Sequence, residues 1–185
     1  EITIQPINRF DFDAAIVFSD ILLVPHALGQ QVNFKRDFGP DLKKIDFKIL
    51  NNIKKEDFLK KLNPVYEIIK KTKTKLSSNK KDTIGFIGAP WTLLLYMLNR
   101  KSPKEGNFNV FTKDKNVQDI LSKLDQFLKI HIEAQIKNGA SIIQIFDSWA
   151  GLLPEKDLEY FVYKPIKSLV DFIKQKKNDL NLFSE

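Results

Sequence analysis

Three short apolar runs constrain this chain more than any other feature. They are Ala14-Ala15-Ile16-Val17-Phe18, Thr83-Ile84-Gly85-Phe86-Ile87 and Ser141-Ile142-Ile143-Gln144-Ile145-Phe146. Each is near-continuously apolar and bounded by turn signals. That is the pattern of strands in a parallel sheet covered on both faces. Helical periodicity fills the intervals. Residues 56–76 place Phe58, Leu59, Leu62, Val65, Tyr66 and Ile69 on one face, with Pro64 expected to kink or interrupt the helix. Residues 117–138 carry Ile120, Leu121, Leu124, Phe127, Leu128, Ile132 and Ile136 on one face and close on Asn138-Gly139. A last helical region comes after Pro154, with a break expected at Lys164-Pro165. Residues 31–53 fit neither period and read as a long excursion holding a small hairpin. Strand alternating with helix is the α/β pattern.

The residues just after each run matter most. The first run ends in Ser19-Asp20. The second leads into Gly88-Ala89-Pro90-Trp91-Thr92 and on to Tyr96. The third ends in Asp147-Ser148-Trp149. All three strands deliver polar groups to one edge of the sheet, where α/β folds keep their chemistry. A structural account competes at each position. Asp20 suits the N-cap of a helix starting at Ile21. Gly85 and Gly88 suit close packing and a turn. Tyr96 suits a core aromatic with its hydroxyl at the surface, and Asp147 or Ser148 suits a cap. His26 and His131 have no partner at ligand spacing, so neither is read as a metal ligand. Phosphate-loop glycine patterns and Gly-x-Ser-x-Gly are absent.

Composition narrows the classes. The 185 residues allow one domain, and 43% hydrophobic with 29% charged residues is globular rather than disordered. No apolar run approaches the ~20 residues of a membrane helix. There is no Cys, which removes disulfides and thiolate metal sites from these residues and suits a cytoplasmic setting. Net charge is +7, but Arg9, Arg36 and Arg100 are the only arginines among 30 basic residues. Base-edge readers lean on Arg, so a nucleic-acid partner is not expected. The lysines are spread over helix faces and read first as a solvated surface. Glu1 in place of Met, and a C-terminus close behind a helical pattern, lead us to expect an internal piece of a longer protein.

Three stretches go beyond a generic α/β pattern: QPINRFDFDAAIVFSDILLVPHALG (5–29), GFIGAPWTLLLYM (85–97) and NGASIIQIFDSWAGLL (138–153). In wording, order and spacing the chain closely resembles the uroporphyrinogen decarboxylase family over essentially its whole length. The resemblance implies a (β/α)8 TIM barrel, of which residues 1–185 form a single, incomplete domain holding about the first three βα units. It implies removal of carbon dioxide from the four acetates of uroporphyrinogen to give coproporphyrinogen, with no metal or organic cofactor, usually in a homodimer. Carried over, Asp20 is the central carboxylate that binds the pyrrole N–H groups. Tyr96 is the tyrosine beside that carboxylate and a substrate acetate, and Ser148 contacts a substrate carboxylate. Phe86, Phe146 and Ile16 are apolar groups flanking the macrocycle. The substrate's eight carboxylates would also suit a +7 chain.

The family's arginine-rich loop would lie upstream of Glu1 and its C-terminal histidine beyond Glu185, so these residues alone are expected to be inactive. His26 stands where the family commonly has Gln, and the ending NDLNLFSE matches poorly. Two other readings share the fold: a corrinoid-linked zinc methyltransferase of the same superfamily, and a non-catalytic relative that binds porphyrins.

Overall fold

The computed structural model describes residues 2–36, 39–77, 80–103 and 116–179. A 3-10 turn at Ile2–Ile4 and helix α1 (Gln5–Phe10) lead into β1 (Ala14–Ile16). Then come α2 (Leu23–Ala27), β2 (Val32–Lys35), β3 (Gly39–Leu42), α3 (Phe47–Asn52), α4 (Lys55–Leu76) and β4 (Asp82–Gly88). Helices α5 (Pro90–Asn99) and α6 (Val117–Lys137) precede β5 (Ile142–Phe146). A 3-10 turn at Ala150–Leu152 is followed by α7 (Glu155–Leu158), a π turn (Glu159–Tyr163) and α8 (Lys164–Asp179).

The three apolar runs pair as expected. They form one parallel sheet in the order β1-β4-β5. Ile16 lies opposite Ile84, and Ile84 opposite Ile142. Paired residues share a face, and faces alternate along a strand. Ile16, Ile84, Phe86, Ile142 and Phe146 therefore point one way, and Ala15, Thr83, Gly85 and Ile143 the other. Helices cover the second face. At Gly85 a Cβ would run into the Gln135 side chain of α6, whose Nε2 donates to the Phe86 carbonyl at 3.2 Å. Helix and sheet approach closely there because Gly85 has no side chain.

The expectation of two covered faces needs correction. Ile16 is 44% exposed and Phe146 38%, so no helix layer covers the face they share, although Phe86 between them is buried by neighbouring rings. Apolar composition does not distinguish a strand facing a helix layer from one facing the inside of a barrel.

The helices follow their apolar spacing, with two departures. Pro64 does not interrupt α4, which runs unbroken over 22 residues. Pro64 is on the exposed face, where water satisfies the Lys60 carbonyl left without its donor. The break expected at Lys164-Pro165 is instead the π turn. The Lys164 N–H reaches back five residues to the Glu159 carbonyl, and the helix continues. The wider turn makes room for the Pro165 ring, which would otherwise meet the carbonyl four residues earlier. Helix α6 ends where predicted, on Asn138, with Gly139 at φ +109°. Helix α5 is apolar all round and buried, with Trp91, Leu93, Leu94 and Leu95 wholly inaccessible. Each such side chain contributes ~1.5–3 kcal/mol of burial.

The excursion contains the expected hairpin, β2 with β3, antiparallel. It also holds α3, which the spacing did not reveal. The Asp46 side chain caps α3, accepting from the Lys48 and Ile49 N–H groups at 2.9 and 3.3 Å. Buried Gln30 joins the excursion to α5, donating to the carbonyls of Lys43 at 2.8 Å and Met97 at 2.9 Å. Of the poorly matching ending NDLNLFSE (178–185), residues 180–185 lie outside the described residues.

Candidate active site at the strand ends

The sheet face that no helix layer covers ends in a concavity of about 240 Å³ at the C-terminal ends of the strands. Ile16, Asp20, Phe86, Phe146 and Ser148 all line it, so five of the six residues singled out in the sequence meet there. Phe18, Ser19 and Ile21 line it too. Phe18 was missed, although it lies two residues beyond Ile16 and so on the same side by strand alternation. Its ring is 5.6 Å from that of Phe86, which meets Phe146 edge-on at 5.2 Å. A larger concavity of about 490 Å³ lies between the first 3-10 turn and α4, at Ile4, Ile68 and Lys71. No strand end reaches it. Convergence of polar groups from several strands favours the smaller one.

Asp20 leaves β1 in a turn rather than a helix cap. Its Oδ1 accepts the Leu22 N–H at 2.7 Å, and its carbonyl accepts the Leu23 N–H at 3.1 Å. The capping account fails, because α2 starts at Leu23 with Leu22 at its N-cap; one carboxylate oxygen instead bonds within the turn and fixes the group against the backbone. Among the described residues nothing donates to Oδ2. Tyr96 stands apart from the lining. It is half-buried on α5, its ring edge-on to Trp149 at 6.3 Å.

Behind Ser148, the exit of β5 is fastened to the start of α5. The Thr92 hydroxyl donates to Asp147 Oδ1 at 2.7 Å and accepts the Trp149 N–H at 3.3 Å. Burial pushes the Asp147 carboxyl above the ordinary carboxylate range, against the bonds from the Thr92 hydroxyl and N–H. Asp147 Oδ2 and Trp149 Nε1 are buried without a partner among the described residues. His131 lies on the far side of the sheet, against Tyr66 of α4.

A parallel sheet with strands neighbouring in chain order, helices on one face and strand-end side chains meeting on the other defines a wall of a (β/α) barrel. The strand-end concavity lies where such barrels keep their sites. The chain belongs to the uroporphyrinogen decarboxylase (URO-D) family, whose model matches residues 1–184. It is 44% identical over 181 residues to a uroporphyrinogen decarboxylase of Rickettsia bellii, covering 94% of this chain and 52% of that protein. To the uroporphyrinogen decarboxylase of Orientia tsutsugamushi it is 42% identical over 179 residues, covering 95% and 52%. The chain thus spans about half the length of the curated relatives it matches. Among solved structures, a methyltransferase from Methanosarcina mazei aligns with a TM-score of 0.73 at 17% identity, over 92% of this chain and 52% of that one. That likeness concerns the fold alone. Among the described residues no helix is long and apolar enough to cross a membrane.

Proposed function

We propose that this chain supplies one wall of a uroporphyrinogen decarboxylase site, and that the whole protein converts uroporphyrinogen III to coproporphyrinogen III. The observation that carries the reading is Asp20, a carboxylate fixed by its own backbone at the lip of an aromatic concavity. Each acetate must exchange carbon dioxide for a proton and become a methyl group. Direct loss would leave a carbanion. Protonating the pyrrole carbon first makes the ring a cationic sink for the electron pair of the breaking bond; the exocyclic methylene that results then takes a proton, and the ring carbon releases its own to restore the pyrrole. A fixed carboxylate facing the pyrrole N–H groups stabilises that cation as it forms. Phe86 and Phe146 give the macrocycle apolar walls, and they keep water away from the charge. In this reading Ser148 receives a substrate carboxylate, and Tyr96 serves an acetate near Asp20. No metal or organic cofactor is called for. A cytoplasmic homodimer is the form the resemblance implies.

The relatives at 44% and 42% identity favour decarboxylation over methyl transfer. The test uses protein from the complete reading frame, incubated anaerobically with uroporphyrinogen III. Oxidised porphyrins are then separated by carboxylate number. Stepwise eight-to-four products are expected. Asp20→Asn keeps the shape and loses the countercharge. It is expected to lower turnover about 100-fold or more, with substrate affinity changed only a few-fold. No product from folded wild-type protein overturns the reading.

A further inference from the structure

We propose that the buried hydroxyl of Thr92 is a positioning group for Ser148. Ser148 is exposed on a turn, its side chain in the concavity, and makes no side-chain hydrogen bond among the described residues. Its two chain neighbours are both held by one atom, Thr92 Oγ1. That oxygen donates to Asp147 Oδ1 at 2.7 Å and accepts the Trp149 N–H at 3.3 Å. Two further bonds reinforce the join. The Ala89 N–H donates to the Phe146 carbonyl at 2.8 Å, and Trp91 Nε1 donates to the Trp149 carbonyl at 2.9 Å. The end of β5 and the turn that carries Ser148 are therefore tied at several points to Ala89 and the first turn of α5. Thr92 is wholly buried and does not reach the concavity, so it acts on the site only through its partners. A hydroxyl is needed there because it must donate in one direction and accept in the other. Serine meets that requirement and valine does not.

The inference rests on the decarboxylase reading, in which Ser148 meets a substrate carboxylate. A misplacement of that group by an ångström costs rate even when the fold survives. The test is a double-mutant cycle on full-length protein, reading kcat/KM with uroporphyrinogen III and thermal midpoints alongside. Thr92→Val is expected to lower kcat/KM about 10-fold, and Thr92→Ser to restore it within about 2-fold. In a Ser148→Ala background, Thr92→Val is expected to lower kcat/KM no further, while its effect on the midpoint persists. If Thr92→Val does not fold, Asp147→Ala takes its place in the cycle. An equal loss of rate in both backgrounds, or no rescue by serine, overturns the proposal. Wild-type protein in the same assay separates the two ideas. Wild-type turnover with an additive cycle sinks this inference alone, whereas no wild-type turnover sinks the function and this inference with it.

Discussion

His131 is buried on α6, with Nδ1 3.0 Å from the Tyr66 hydroxyl. Burial holds the Tyr66 hydroxyl protonated, so its O–H donates to Nδ1 and the ring is neutral. Burial also lowers the His131 pKa from 6.5 to about 3. Above pH 6.5 the ring is neutral in both folded and unfolded chains, and the stability is fully present. Below it the unfolded chain takes up a proton that the native state refuses. Stability is then lost at about 1.4 kcal/mol per pH unit, down towards the folded value. His131→Gln keeps an acceptor for Tyr66 and removes the titration. Between pH 7 and pH 5, wild-type protein is expected to lose about 2 kcal/mol more than the variant in urea denaturation. Identical pH slopes would show that His131 takes up its proton in the native state. The sequence sets no partner at ligand spacing beside His131. It did not show Tyr66, because the partner is 65 residues away and only the packing of α4 on α6 brings the two together. The same limit applies at the site. Asp20 and Ser148 were legible as polar groups just past strand ends, whereas Phe86 and Phe146 were singled out only by the family resemblance. The bonds around Thr92 were not legible, since they cross between two loops.

Helix and strand assignments were legible where one rule acts alone. The three strands and the Asn138-Gly139 stop came from local pattern. At neither proline does the chain leave the helix, because the cost of proline depends on what faces the carbonyl it leaves unpaired. At Pro165 a π turn absorbs the ring. At Pro64 solvent satisfies the Lys60 carbonyl, yet the helix still lacks a bond in its middle. Pro64→Ala restores that donor on an exposed face and disturbs no packing. The helix-propensity gain is ~3 kcal/mol, reduced by the greater freedom of the unfolded chain without proline. A net stabilisation of about 1–2 kcal/mol is expected, visible as a raised denaturation midpoint. A lowered midpoint would mean that α4 depends on the local geometry set by the proline. Helix α3 escaped notice for a different reason. It is six residues long, too short for periodicity, and its signal was the Asp46 cap alone.

At the scale of the whole molecule, the sheet divides the chain into a closed side and an open one. Behind the sheet, α4, α5 and α6 join a single apolar core. In front, Ile16 of β1 is 44% exposed and Phe18, just past the strand, 79%, and among the described residues β1 pairs with β4 alone. Contiguous apolar surface of this kind on a parallel sheet is unusual in a free monomer. Residues 1–185 on their own should therefore bind the dye ANS strongly. Ile16→Thr with Phe18→Ser should reduce that binding. Both side chains are already partly or largely in water, so the substitutions should shift folding stability by no more than about 1 kcal/mol. ANS fluorescence and urea midpoints on the same two samples make the check. Unchanged fluorescence would assign the dye to another exposed apolar pair, such as the stacked rings of Phe10 and Phe12 at 5.6 Å. A large loss of stability would mean that the front face is packed in solution, and the sheet would then have two covered sides, as its composition alone suggests.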